Sequence, residues 1–238
     1  SLGSAPITIA ANAYWNPLGS GPNRLSGLSS SAAGIPLVIT SYNLVDTGTR
    51  VVVVDNEQYR ALAGLKGDFW GWDWDSAVLY SEAKVHDEAD GYSSTLFQRA
   101  LNRTDNTAYN PFSGGNPSNP SVGDPTGNLQ ATIDSFRIKQ VRENRTSLLL
   151  GDFKISKPDL LSYWAGNIGV AAGVEWRREM YWDDRDSRQD TSTPFYDQIT
   201  GALVSTSDLM GHSPSPDVKG ARNTTSAYIE FAVPLVNR

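Results

Sequence analysis

A run of fifteen residues, Asn167 to Tyr181, alternates in character with a single exception. Ile168, Val170, Ala172, Val174, Trp176 and Met180 share one parity, interrupted by Arg178, while Asn167, Gly169, Ala171, Gly173, Glu175, Arg177 and Glu179 share the other. An extended strand carries every second side chain to the same side, because its side-chain period is two residues. Strands in soluble sheets average about five or six residues. A run this long, greasy on one side and small or charged on the other, has the pattern of a strand in a membrane β-barrel, where one side meets lipid and the other a wet interior.

The pattern recurs. From Asn223 to Leu235, Ala227, Ile229, Phe231, Val233 and Leu235 oppose Ser226, Tyr228, Glu230 and Ala232, with Pro234 expected at the strand's end because proline cannot donate to a ladder. Tyr59 to Phe69 sets Tyr59, Ala61, Ala63, Leu65 and Phe69 against Arg60, Leu62, Gly64, Lys66 and Asp68. Ser147 to Ile155 carries Leu149, Gly151, Phe153 and Ile155 on one side, though Leu148 and Leu150 blur its orientation. With shorter candidates at Val38–Val45, Val51–Val54 and Asp75–Val85, the chain reads as all-β, with about six to eight antiparallel strands.

Residues Gly67 to Asp75, with Trp70, Trp72 and Trp74, read as a tight connection of the kind that seats indoles at headgroup depth. Asp105–Asn128 and Trp182–Lys219 are rich in Gly, Pro, Asn, Ser and Asp. They are too long for hairpin turns and too polar for a core, so they read as long surface loops. Short turns on one side and long loops on the other is the asymmetry of outer-membrane barrels, whose long loops are extracellular. Ser93 to Leu101 has helical spacing, with Leu96, Ala100 and Leu101 on one face.

Other features exclude rather than assign. No apolar run approaches the roughly 18 residues of a membrane-spanning helix. A net charge of −6 and a pI near 4.9 argue against a nucleic-acid partner, which needs clustered Lys and Arg. Zero cysteines remove disulfides, thiol nucleophiles and zinc ribbons, and fit a protein exported through an oxidising compartment. The two histidines, His86 and His212, read as loop or rim residues, and no G-x-S-x-G elbow occurs, so no catalytic residue is assigned. Asp183, Asp184, Asp186 and Asp190 are hard oxygen donors, but Arg185 and Arg188 lie among them and no glycine turns the segment, so it reads as a solvated loop and not a calcium site. No cofactor or metal is expected. Ser1-Leu2-Gly3-Ser4 lacks signal-peptide character, and Ala232 to Arg238 stops in what reads as a strand in progress, so the chain reads as a fragment.

Tyr109-Asn110-Pro111-Phe112 followed by Ser113-Gly114-Gly115, its echo Trp15-Asn16-Pro17-Leu18-Gly19, and Tyr59-Arg60 through Gly64-Leu65-Lys66-Gly67 into Trp72-Asp73-Trp74-Asp75 resemble the barrel of large TonB-dependent receptors. Gly173-Val174-Glu175-Trp176-Arg177-Arg178-Glu179 is similar to that family's G-V-E-Y/W-R-x-E strand. Gly220-Ala221-Arg222 with Tyr228-Ile229-Glu230-Phe231-Ala232-Val233-Pro234-Leu235 is similar to the strand that follows it, which closes on E-x-x-x-P-L. The matches run in order across nearly the whole chain. The resemblance implies an antiparallel transmembrane β-barrel of about 22 strands around a plug, of which residues 1–238 would be a partial barrel domain, roughly a third of the wall. The plug, the TonB box and the terminal aromatic strand would lie outside it.

The resemblance also implies active uptake across the outer membrane of a Gram-negative bacterium, without making or breaking a bond. A siderophore, vitamin or oligosaccharide would bind the loops and plug, and the TonB–ExbB–ExbD complex, reached through the plug, would supply the work. The expected partners are that complex, the small-molecule ligand and outer-membrane lipid. Glu175, Arg177, Glu179 and Glu230 are expected to point into the lumen, where charged groups pair across strands or touch plug or ligand. Tyr109, Asn110 and Phe112 are the loop candidates for ligand contact. Two other readings fit the same alternation: a passive porin-like barrel without a plug, and a soluble β-sandwich or carbohydrate-binding module in which Ile168, Val170, Val174 and Trp176 pack against a second sheet.

Overall fold

The alternating runs form strands longer than the alternation itself marks. A computed structural model of the chain describes residues 5–112 and 127–236. In chain order the elements are β1 (Ile7–Ile9), β2 (Leu37–Ile39), β3 (Val52–Phe69), β4 (Trp72–Tyr92), α1 (Ser94–Leu101), α2 (Gln130–Asp134), β5 (Arg137–Tyr163), β6 (Gly166–Arg185), β7 (Phe195–Tyr196), β8 (Leu203–Ser205) and β9 (Val218–Ala232). The chain divides into two units: Ser1–Val53 with Asp87–Arg142 and Arg185–Pro216, and Val54–His86 with Glu143–Asp184 and Asp217–Arg238. Strands hold 52% of the described residues and helices 6%, so the all-β expectation holds.

The large sheet runs β3-β4-β5-β6-β9. Alternation predicts about six to eight strands; the described residues hold nine, five of them in this sheet, which is open, with β3 and β9 each paired on one side only among the described residues. The residues Val51–Val54 are not a separate strand, because Val52 already begins β3. Pro234 lies just past β9, where its missing N–H costs no ladder bond. At 27 residues, β5 is about 90 Å of extended chain.

Two links in this sheet are minimal. Trp70-Gly71 joins β3 to β4, and both residues have positive φ, 53° and 77°, the turn whose twist matches paired strands. Glycine at 71 takes that conformation at no steric cost. The expected nine-residue connection from Gly67 to Asp75 is therefore strand except for its two central residues, and Trp72 and Trp74 fall on alternate positions of β4. Trp164-Ala165 joins β5 to β6. The remaining links, residues 93–136 and 186–217, are long, so short and long connections alternate along the sheet.

The other unit corrects a second expectation. The segments read as too polar for a core contribute to one, because their few aromatics converge from distant positions. Phe97, Tyr109 and Phe136 make a mutual edge-to-face cluster with centroids 5.0–5.4 Å apart, joined by Ile7, Ile9, Leu101, Ile133 and Phe195. Val38–Val45 shrinks to β2, which pairs with β1 through Ile7↔Ile39, Thr8↔Val38 and Ile9↔Leu37 and not with the large sheet. Helix α1 forms as expected. Ser93 caps it by accepting from Leu96 N at 3.1 Å, and the buried Asp208 carboxylate accepts from Ser93 Oγ and Thr95 N and pairs with Arg188. Gln98, fully buried, donates to Thr8 O at 3.0 Å and accepts from Gln198 N at 2.8 Å, tying α1 to β1 and to the β7–β8 hairpin.

The two Asn-Pro echoes use one device. Asn16 Oδ1 accepts from Leu18 N at 2.9 Å, and Asn110 Oδ1 from Phe112 N at 3.0 Å, each a side chain closing a turn two residues on. The Ser113-Gly114-Gly115 part of the second motif lies outside the described residues.

Candidate functional site

In the β6–β9 ladder Val174 stands opposite Ala227, Ala172 opposite Ile229 and Val170 opposite Phe231, while Glu175 faces Ser226, Arg177 faces Thr224 and Glu179 faces Arg222. The predicted parities therefore meet across the ladder, like with like. The blurred orientation of the Ser147 strand is resolved by Phe153, which stacks on Trp74 with centroids 6.3 Å apart. Lys157, of the same parity, lies 6.0 Å from the Trp72 ring. Leu149, Phe153 and Ile155 thus share a face with Trp72 and Trp74, and Leu148 and Leu150 turn to the other.

Along β6, exposure runs opposite to that of a strand in a water-soluble sheet. Val174, Trp176 and Met180 are 53%, 41% and 48% exposed, whereas the charged residues between them, Glu175, Arg177 and Glu179, are half-buried. Val78, Leu65, Ile229 and Phe231 are likewise exposed.

Of the four candidates on the charged face, three lie together and one apart. Glu175, Arg177 and Glu179 are successive positions of one parity on β6, and Arg222 donates to Glu179 Oε2 through Nε at 2.9 Å and Nη2 at 2.5 Å. Glu230 stands opposite Ala171, two register steps from the Glu175 pair on the same face. Ala171 and Tyr228 border a groove of about 590 Å³ whose wall alternates in charge, with Lys66, Asp68, Asp73, Asp75 and Lys154. Arg222 is the residue sequence reading missed. Its parity on the Asn223 run was visible, but its opposition to Glu179 depends on register, which alternation does not encode.

The loop candidates fare differently. Tyr109 is fully buried; its hydroxyl donates to Asp46 at 2.7 Å, and burial, with the neighbouring Tyr42 hydroxyl and Asp46 carboxylate, pushes the phenol far above its ordinary range. Asn110 is buried too, its N–H donating to Asn128 Oδ1 at 2.6 Å. Both are framework residues, because an aromatic with a polar tip satisfies a core and a carboxylate at once. Only Phe112 of the three offers its side chain to solvent.

His86 lies within β4, its Nδ1 2.5 Å from Glu143 Oε1, and not in a loop. His212 sits between Met210 O and Arg50, 3.2 Å from each. In the aspartate run, Asp186 accepts from Val141 N and Arg188 N, and Asp190 from Ser192 N, so these carboxylates cap backbone donors. Among the described residues no group of three acidic or histidine side chains converges on a metal-sized space. No protein-family model matches the chain, and no curated protein or solved structure matches it either.

Proposed function

We propose that this chain is part of the wall of a bacterial outer-membrane barrel of the TonB-dependent receptor class, a transporter for a scarce nutrient such as a siderophore, vitamin or oligosaccharide. The observation that carries the reading is the exposure along β6, where Val174, Trp176 and Met180 are exposed while Glu175, Arg177 and Glu179 between them are half-buried. A soluble monomer rarely leaves more than a few hundred Å² of contiguous apolar surface open; lipid removes that cost, and a wet lumen suits the charged face. Strands of 15 to 27 residues exceed the roughly 9–11 needed to cross a bilayer. Exposed Trp70 and Trp164 at the two minimal links are where interfacial indoles belong. The open edges of β3 and β9 leave ladder donors and acceptors that further strands would satisfy, since lipid cannot. Support for the receptor class comes from the two motifs that carry the resemblance, which are adjacent strands in direct register. The sandwich alternative needs Val174 and Trp176 covered, and they are not.

Residues 1–238 contain no cysteine, so a single cysteine introduced among them is the one thiol of this stretch. In the full-length protein in lipid vesicles, labels at 170, 174, 176 and 229 should be relaxed by oxygen, which partitions into lipid. Labels at 171, 175 and 177 should be relaxed by a water-soluble nickel chelate. Absence of this two-residue alternation would remove the membrane reading. Active uptake is separated from passive flow by deleting the TonB complex, which should abolish nutrient-limited growth as fully as deleting the receptor; growth that survives makes the protein a passive pore.

A further inference from the structure

Away from Lys157 near Trp72, cations gather on the apolar face around one groove. The groove, of about 680 Å³, is lined by Tyr80, Leu149, Met180 and Trp182 together with Arg178 and Lys219. Register sets Met180 opposite Ala221, with Arg178 opposite Asn223 two residues to one side and Lys219 opposite Trp182 two residues to the other. The two cations therefore bracket an apolar floor on a single face. Arg145, which also borders the groove, is taken by Glu82 at 2.5 Å. Neither Arg178 nor Lys219 has a carboxylate within ion-pair distance among the described residues, in a chain whose net charge is −6.

Two unpaired cations on a face bound for lipid are costly at the bilayer midplane, and the cost falls away at the headgroups. Their long stems can lie on the apolar floor while their heads reach phosphate. Tyr80 and Trp182 are the residue types of that interface. Trp182 is three residues from the end of β6, from which a long connection departs, so the groove belongs to the leaflet on the long-connection side.

We propose that this groove seats one anionic membrane lipid, its acyl chains along Leu149, Met180 and Ala221 and its phosphate held by Arg178 and Lys219. This rests on the membrane reading above, and the test keeps the two apart. The full-length protein is reconstituted in vesicles of phosphatidylcholine with a minor fraction of phosphatidylglycerol, and retained phosphatidylglycerol is counted by native mass spectrometry. The wild type should retain it, the double variant Arg178→Gln/Lys219→Gln should bind it about thirtyfold more weakly, and each single variant about fivefold. Arg178→Lys should stay near wild type, because it keeps the charge. The single variants keep the test open if the double variant does not fold.

Unchanged phosphatidylglycerol binding in variants that still insert overturns the groove and leaves the membrane reading standing. Failure of the wild type to associate with vesicles overturns both. Displacement by inorganic phosphate as effective as by short-chain phosphatidylglycerol overturns the lipid and makes the site a simple anion site.

Discussion

Tyr228 stands opposite Gly173 in the β6–β9 ladder, and its ring occupies the space a side chain at 173 would need: a β-carbon there would lie 2.4 Å from Cε1 and 2.9 Å from Cζ. The neighbouring ring, and not its own backbone, demands glycine here, and the ring covers the backbone that glycine leaves bare. Gly173→Ala should therefore destabilise the folded protein by about 1–3 kcal/mol, since the ring must swing off the ladder. In a Tyr228→Ala background the same change should be neutral or favourable. Urea midpoints of the four proteins in detergent decide it, and equal costs in both backgrounds would refute the contact.

Glu179 and Arg222 form a two-bond pair across the same ladder, open to solvent on that face. Pairs this exposed add little to stability, so neutralising either residue should move the unfolding midpoint by less than about 2 °C. Reversing one charge is different. Glu179→Arg sets three cations, with Arg177 and Arg222, on neighbouring positions of one face, and like charges directly opposed destabilise a ladder. The loss should shrink in high salt and be largely restored by adding Arg222→Glu. Failure of the double reversal to restore stability would mean that the pair does not form.

These two pairs mark how far the sequence could be read. Alternation from Ile168, broken once at Arg178, and from Ala227 identifies the strands, an end near Pro234 and which side chains share a face, because the strand's side-chain period is two residues. Opposition across a ladder is not periodic, so Tyr228 over Gly173 and Arg222 beside Glu179 had no local signal. The second core was hidden for a related reason. Ile7, Phe97, Tyr109, Phe136 and Phe195 come from chain segments far apart in sequence, and they become a core only when those segments meet. Tyr109 consequently read as a ligand contact when it is a buried ring. The Asn-Pro echo was visible as a repeat, though its use as a side-chain-closed turn was not.

Asp197 is buried, yet its carboxyl sits below the ordinary value of 3.8: burial pushes it up, and the donors of Thr8, Thr200 and Ile199 more than offset that. A carboxylate whose folded pKa is depressed contributes stability that is fully present above its unfolded value and is lost as pH falls through the folded one. Hydrogen-exchange protection of Thr8 and Thr200 amides should therefore hold constant down to about pH 4 and fall below it. Asp197→Asn, which must turn an N–H toward one of these donors, should cost about 1–3 kcal/mol at neutral pH and flatten the acid response. An acid profile identical to the wild type would assign the transition to other groups.

The aromatic cluster of the second unit yields the last test, because it separates framework from surface within one motif. Phe97 is fully buried and packs edge to face on both Tyr109 and Phe136, so Phe97→Ala should open a cavity and cost about 3–5 kcal/mol. Tyr109→Phe keeps the ring and removes only the hydroxyl that donates to Asp46, so about 1 kcal/mol should be lost. Phe112, three residues on and exposed, should tolerate alanine with no change. Protease resistance of the full-length protein, cut within residues 87–142, ranks the three. If Phe112→Ala proves as damaging as Phe97→Ala, the exposed ring is part of the framework and the division of the motif drawn from burial is wrong.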